Sequence, residues 1–182
     1  MEKDAFLGRY ISFPKYSHYT AHYSTLHDIK HVKKAIIGAL KSIDGKKDSI
    51  RLSIAGIEGE VDGERTFSVK IADGNKFKRL NNNIINVITG LIINNLLNFI
   101  DFEIRIKYRY MRDNGRKRSS WSDRYLVRIY FTEGAFKVQI SHVGGLRRFS
   151  PEDLGKLIYL RLIQIMRKMG VRPLIRKIYE LS

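Results

Sequence analysis

The chain has 182 residues, a net charge of +16 and no cysteine, and 43% of its residues are hydrophobic. This length suits one domain, and the hydrophobic share is large enough for a core, which excludes a disordered basic tail. The lack of cysteine excludes a disulfide scaffold, cysteine-ligated zinc and a thiol nucleophile. Because no stretch resembles a signal peptide or a membrane span, we expect a cytoplasmic protein that does not enter a membrane. The frequent isoleucine and scarce glutamine are typical of thermophile proteins.

Hydrophobic periodicity predicts one α+β domain over residues 1–182, in which helices cover one face of an antiparallel sheet of about five strands. A Tyr- and His-rich arm, residues 1–23, leads into a first helix that Ser24 caps. The dipeptide Asp62-Gly63 is typical of a two-residue hairpin turn between the first two strands. In chain order the predicted elements are a helix over 24–43, strands over 50–61 and 64–72, a helix over 77–100, strands over 102–111, 124–132 and 135–142, a helix over 150–170 and a short helix within 171–182, which gives the order α-ββ-α-βββ-α-α.

The turns between the later strands predict their register. Glu133-Gly134 is a tight turn, so it determines which residues of the two strands beside it lie opposite each other. The preceding connection is longer, and one register is predicted for it in addition. The predicted cross-strand pairs are Arg128 with Gln139 and Tyr130 with Lys137 at the tight turn, and Lys107 with Arg128 and Arg105 with Tyr130 in the longer hairpin.

The last long helix is predicted to begin at Ser150-Pro151, an N-cap followed by proline in the first helical position.

Alternation along the same strands separates an apolar face from a basic one. Phe102, Ile104 and Ile106 point to the side that helices must cover, whereas lysine and arginine occupy alternate positions. Cations on an open sheet face can neutralise phosphates, and a tyrosine among them offers a ring on which a base stacks. A solvated basic face without a ligand is the alternative interpretation. The predicted platform consists of Arg105, Lys107, Arg109, Arg128, Tyr130 and Lys137.

The connection over residues 112–124 is predicted to be a long basic loop that grips phosphate. It contains Trp121, which is the only tryptophan of the chain and lies in a serine-rich context. A tryptophan in such a loop suits base stacking, and the alternative is that it folds back on the sheet edge as an anchor. Arg147 and Arg148 precede the last long helix and are predicted to line the same cleft. The basic residues of this loop are Arg112, Arg116, Lys117, Arg118 and Arg124.

Two further clusters have a chemical and a structural interpretation. Four histidines, with Tyr residues between them, lie close together near the N-terminus, and a pair spaced by four residues on a helix can hold zinc. Without a carboxylate or cysteine partner, however, we predict no metal. An acidic cluster near the first hairpin, with Lys70 following it, resembles the carboxylates of a metal-dependent nuclease only loosely, because Ser68 stands where a ligating acid is expected. The two clusters are His18, His22, His27 and His31, and Glu58, Glu60, Asp62 and Glu64.

The sequence therefore predicts a nucleic-acid-binding protein without cofactor, rather than an enzyme. The net charge indicates a polyanionic partner, and single-stranded DNA or RNA is preferred because a sheet with aromatic residues suits stacking better than entry into a groove. Sequence specificity should be low, because phosphate contacts carry no sequence information. The alternatives are a metal-dependent nuclease and a structural component of a ribonucleoprotein or virion. The apolar helices also predict a homodimer.

Overall fold

The computed structural model describes residues 6–111 and 118–178. Within them, three helices and an eight-stranded antiparallel sheet form an α+β fold. The predicted class and antiparallel sheet are confirmed, whereas the predicted number of five strands is too low. None of these helices is long and apolar enough to span a membrane. The elements are β1 (Tyr19–Thr25), α1 (Ile29–Ile43), β2 (Lys47–Ser53), β3 (Glu60–Asp73), β4 (Lys76–Arg79), α2 (Asn82–Ile93), β5 (Phe99–Met111), β6 (Arg118–Thr132), β7 (Ala135–Gly144), α3 (Pro151–Lys168) and β8 (Ile175–Ile178).

The sheet has the order β2-β3-β5-β6-β7-β1-β8, and β4 pairs with β3. Helices α1 and α3 pack against each other and against one face, which we call the covered face. Gly38 of α1 lies at their crossing, where a Cβ atom would stand 3.3 Å from Ile165 Cγ2 of α3. The covered face carries the alternate apolar residues predicted from the sequence, such as Ile104 and Val127, which are fully buried. This part of the prediction is confirmed.

Both ends of the described chain contribute strands that the sequence did not predict. The predicted arm contains β1, and the predicted C-terminal helix is replaced by β8, which pairs with β1. Helix α1 consequently starts later than predicted, and its N-cap is Asp28 instead of Ser24. Short strands depend on pairing with a segment distant in sequence, and local periodicity does not show that partner.

The first hairpin and the central helix also differ from their predictions. Gly63 lies inside β3, opposite Ile50, and the chain turns between Ser53 and Glu60. A Cβ atom at Gly63 would lie 2.5 Å from Leu52 Cδ1, so this glycine permits close packing instead of forming the turn. Helix α2 is shorter than predicted, because its first predicted residues form β4 and its last ones lead into β5. By contrast, α3 begins as predicted, with the Ser150 side chain accepting from a backbone N–H.

The predicted long loop is largely strand. Strand β6 begins at Arg118, so the segment that contains Trp121 and Arg124 belongs to the sheet. The register at the tight turn is confirmed, whereas the register predicted for the longer hairpin is wrong, because it assumed a loop up to Arg124. The observed pairs are Arg128 with Gln139, Tyr130 with Lys137, Lys107 with Ser122, Arg105 with Arg124, Asp101 with Arg128, and Phe99 with Tyr130.

Residues 10–17, which we call the strap, cross the other face of the sheet, the open face. The Tyr10 N–H donates to Asp101 Oδ2 at 2.7 Å, and Ser141 Oγ donates to the Tyr16 carbonyl at 2.9 Å. Asp101 and Ser141 are both buried although they point away from the helices. The strap therefore covers part of the open face and divides the rest of it.

Candidate nucleic-acid interface

A groove lies on the open face of the sheet. It is found between the strap and the end of the sheet where β5 finishes at Met111 and β6 begins at Arg118. Its volume is about 470 Å³. Three neighbouring strands line it with two cations and four hydroxyl groups, and Trp121, which stands between two of the serines, also borders it. The cationic and hydroxyl residues of the groove are Thr66 and Ser68 of β3, Arg105 and Lys107 of β5, and Ser120 and Ser122 of β6.

Cross-strand pairing places hydroxyl side chains on both sides of Lys107, whereas Arg109 lies between Glu64 and Ser120. Lys107 pairs with Thr66 on β3 and with Ser122 on β6, so the three form one row across the sheet. Neighbouring strands are about 4.8 Å apart, and residues two apart along a strand are about 6.8 Å apart. Arg105 and Arg109 belong to the rows on either side of Lys107. Strand β5 therefore carries a regular line of three cations, which we call the cation line.

A buried carboxylate orients two arginines on the open face, of which Arg105 lines the groove. Glu103 has a side chain only 5% exposed, and its two oxygens accept from Arg105 Nε at 3.1 Å and Arg124 Nε at 2.6 Å. Each guanidinium is bound through Nε, which leaves its terminal nitrogens for an outside acceptor. The side chain of Arg105 is 50% exposed. Lys107 and Arg109 have no ion pair within residues 6–111 and 118–178.

Arg128, which was predicted to belong to the platform, has a different position. Its Nε and one terminal nitrogen donate to the two oxygens of Asp101 at 2.7 and 2.8 Å. The guanidinium lies between the rings of Phe13 and Phe99, with Cζ 4.3 and 4.2 Å from their centroids. Burial raises the pKa of the Asp101 carboxyl, against the effect of Arg128 and of the Tyr10 N–H. Arg128 is thus a largely covered structural residue under the strap.

Tyr130 and Lys137 lie on the open face beyond the strap, away from the groove. Tyr130 is eight residues along β6 from Ser122, a distance of about 26 Å. Lys137 Nζ stands 4.7 Å from the centroid of the Tyr130 ring, and Phe99 packs against the ring from the neighbouring strand. The structure therefore does not bring Tyr130 and Lys137 together with the cation line.

Trp121 lies on the covered face and not in a loop. Its ring stacks on Tyr108 at 5.8 Å between centroids and meets Tyr110 edge-on at 5.4 Å. The guanidinium of Arg148 covers the ring at 4.7 Å. Trp121 Nε1 is buried without a hydrogen-bond partner among the described residues. This arrangement corresponds to the anchor interpretation.

Arg147 and Arg148 are held on the same side as Trp121 by a buried acid. Asp123, which is fully buried, accepts from the backbone N–H groups of Arg147 at 2.6 Å and Arg148 at 2.8 Å. The Tyr108 hydroxyl donates to the same carboxylate at 3.2 Å. Burial, followed by the charge of Asp123, raises the pKa of Tyr108 and of Tyr125. The two arginines therefore lie away from the groove.

Three predicted contact residues, Arg112, Arg116 and Lys117, lie outside the described residues. Arg118 is the first residue of β6 and pairs with Met111, and nothing is described of its side chain. The chain leaves β5 and enters β6 at the groove end of the sheet. Whether these residues contact nucleic acid stays a prediction.

The histidines and acids do not form a metal site in the part of the chain that the structure describes. No three His, Asp or Glu side chains there converge in a way that could hold an ion. His18 Nδ1 accepts from the His142 N–H, and His27 Nε2 contacts the backbone of Leu174. Among the acids near the first hairpin, Asp62 is 93% exposed. The geometry that a metal-dependent nuclease needs is therefore not found in these residues.

Sequence reasoning placed Glu103 on the open face but missed the four hydroxyls and the buried Asp101 there. Ser120 and Ser122 alternate with Trp121 and Asp123, which is a strand pattern, but the serines and the acid made it look like a loop. The sequence around Asp101 does not predict that it is buried, because the strap that covers it lies about 90 residues earlier in the chain. Only the alternation around Trp121 was available as a signal.

The fold and the groove define a class of protein, an α+β protein with an open antiparallel sheet face that carries a cationic, hydroxyl-lined groove. No protein-family model matches the chain, and comparisons with curated proteins and with solved structures find no significant match. The function is therefore inferred from the groove itself.

Proposed function

We propose that the protein binds nucleic acid through its phosphate backbone and that the groove and the cation line form the contact surface. The observation that carries this proposal is the position of Arg105, Lys107 and Arg109 on one side of one strand. Their spacing of about 6.8 Å is close to that of neighbouring phosphates along a nucleic-acid strand. Three cations in this register can each neutralise one phosphate and release its counterions.

The preorganisation of Arg105 and Arg124 supports the same proposal. An arginine side chain loses conformational freedom when it binds a phosphate, and part of this entropy is already lost when its Nε is bound to Glu103. Terminal guanidinium nitrogens suit the oxygens of a phosphate, with which they form charge-assisted hydrogen bonds. Glu103 therefore acts as a positioning residue for two of the proposed phosphate contacts.

The proposed ligand is a single strand, bound with low sequence specificity. A groove between side chains on a sheet admits one backbone, whereas reading a duplex generally needs a helix or a ribbon that enters a DNA groove. Two aromatic rings near these cations are already packed within the protein: the centroid of the Phe77 ring lies 5.6 Å from Arg124 Cζ, and Trp121 stacks on Tyr108. We therefore expect base stacking to contribute less than the sequence predicted. Phosphate contacts position a strand without distinguishing its bases.

The proposal is tested by removing two cations of the line. In Arg105→Ala with Lys107→Ala we expect affinity for a single-stranded oligonucleotide to fall roughly 10- to 100-fold, the effect of losing two charge-assisted contacts. The slope of log affinity against log salt should become shallower by about 1.4, since each phosphate contact on a single strand contributes about 0.7. Fluorescence anisotropy at several salt concentrations measures both quantities.

The matched control is Lys34→Ala with Lys41→Ala. It removes the same charge from exposed positions of α1, on the other side of the sheet. If binding depends only on net charge, the two double variants will lose affinity equally, and the groove is not the site. Unchanged affinity of the Arg105 and Lys107 variant, with an unchanged melting temperature, also contradicts the proposal. The homodimer predicted from the apolar helices stays a prediction.

A further inference from the structure

The hydroxyl groups of the groove point to a preference between RNA and DNA. None of the four has a hydrogen-bond partner within the described parts of the chain. Other hydroxyls of the protein are used internally, as in the hydrogen bonds of Ser42 Oγ to the Ala39 carbonyl and of Ser141 Oγ to the Tyr16 carbonyl. The groove hydroxyls are therefore available to an outside ligand. They belong to Thr66, Ser68, Ser120 and Ser122.

Their placement suits a sugar better than a phosphate. They stand about 4.8 Å to either side of the cation line, one strand away from the positions where phosphates are neutralised. If the phosphates follow β5, the sugars lie beside it, over β3 or β6. These hydroxyl side chains are shorter than the arginine and lysine side chains between them, which leaves room for a sugar ring.

The chemistry of a hydroxyl also differs from that of a cation. Lysine and arginine only donate, whereas a serine or threonine hydroxyl both donates and accepts. A phosphate needs donors alone, but a ribose 2′-hydroxyl donates and accepts, and deoxyribose lacks this group. The only carboxylate facing the groove from β5, Glu103, already accepts from two arginines. Beside Lys107, the serine and threonine hydroxyls are thus the acceptors at the level of the sugar, whereas Glu64 of β3 stands opposite Arg109 at the end of the cation line.

We infer that the groove recognises ribose and that the protein prefers single-stranded RNA to single-stranded DNA. The inference rests on the proposed function, because it needs the strand to follow the cation line. One or two additional hydrogen bonds per bound strand correspond to roughly tenfold tighter binding. This preference does not depend on base sequence.

The test compares oligouridine, oligodeoxyuridine and 2′-O-methyl oligouridine of equal length. The three share base and charge and differ at the sugar, and the methylated form cannot donate from the 2′ position. We expect oligouridine to bind about tenfold more tightly than the other two, as judged by anisotropy at one salt concentration. The same measurement is made on Ser120→Ala with Ser122→Ala and on Thr66→Val with Ser68→Ala.

In at least one of these hydroxyl variants, the ratio of RNA to DNA affinity should approach one while the affinity for oligodeoxyuridine stays unchanged. The matched control is Thr132→Ala, which removes an exposed hydroxyl at the far end of β6 and should keep the ratio. Equal wild-type affinity for the three oligomers, or a ratio kept in both hydroxyl variants, overturns the inference.

The two proposals fail in different ways. If only the ribose preference is wrong, all three oligomers still bind with a salt dependence, and Arg105→Ala with Lys107→Ala still weakens each of them. If the proposed function is wrong, no oligomer binds, or that double variant binds as tightly as the wild type. Both of these last outcomes overturn the ribose preference as well.

Discussion

Two arginines on the same face of the sheet show how differently one residue type is used. Arg105 of β5 donates to the buried carboxylate of Glu103, and Arg128 of β6 donates to that of Asp101. Arg105 is bound through one nitrogen and is 50% exposed, whereas Arg128 is bound through two nitrogens and is 16% exposed. The strap makes the difference, because it covers Arg128 and leaves Arg105 at the groove. A cation predicted to bind a ligand can therefore prove to stabilise the fold.

The largest expected effect concerns the buried pair. Arg128→Ala leaves the Asp101 carboxylate buried without its partner, so we expect the free energy of unfolding to fall by about 3–5 kcal/mol. Arg128→Lys keeps the charge but loses the second hydrogen bond, so its free energy of unfolding should fall by less than that of Arg128→Ala. Chemical denaturation of the two variants and of the wild type measures the difference. If Arg128→Ala unfolds like the wild type but loses affinity for oligonucleotide, the roles assigned to Arg128 and Arg105 are wrong.

A smaller effect is expected at Trp121, whose ring contacts the covered face. Trp121→Ala should lower the free energy of unfolding by about 2 kcal/mol, less than the cost of deleting a fully buried ring. Affinity of the folded protein for a single strand should not change, because the ring packs against Tyr108 and Tyr110 on the covered face. Loss of a base-stacking contact would instead weaken binding by about 1–3 kcal/mol. Denaturation and anisotropy on the same preparation distinguish a loss of stability from a loss of binding. Trp121→Phe is the conservative control.

The smallest effect concerns a third arginine–carboxylate pair, on the covered face. Asp48 accepts from Arg65 at 2.9 Å and from Lys46 at 2.6 Å. Burial alone would raise the pKa of Asp48, but these two hydrogen bonds outweigh it and hold the pKa below its usual value. Because the pKa is lower in the folded state, the stabilisation is present above the unfolded-state pKa of about 3.9 and is lost as the pH falls through the folded value.

We therefore expect Asp48→Asn to be less stable than the wild type by about 1 kcal/mol or less at neutral pH, as is typical of pairs that water reaches. The difference should shrink as the pH falls below about 4, because the carboxyl of the unfolded chain takes up a proton there and that of the folded protein does so only at lower pH. Denaturation of both proteins across this range measures it. A constant difference down to low pH would mean that the charge of Asp48 does not contribute.

The long central strands could mostly be predicted from the sequence, whereas most of the short strands could not. The alternation from Phe102 to Tyr110 and from Tyr125 to Phe131 identified the covered face correctly, because side chains on a strand alternate strictly between two faces. The short strands β1, β4 and β8 were missed, because they depend on pairing with segments distant in sequence. The register of the long hairpin was predicted wrongly for one reason: the start of β6 is rich in serine and therefore resembles a loop.

The sequence by itself determined the α+β class, the apolar face, the tight turn at Glu133-Gly134 and the basic residues of β5, since all of these follow from local periodicity and turn chemistry. Tertiary structure alone decided which of the basic residues remain accessible. The strap buries Arg128 and separates Tyr130 from the groove, Asp123 holds Arg147 and Arg148 on the covered side, and pairing brings Thr66 and Ser122 to either side of Lys107. These contacts join segments that lie far apart in sequence, so no local pattern encodes them.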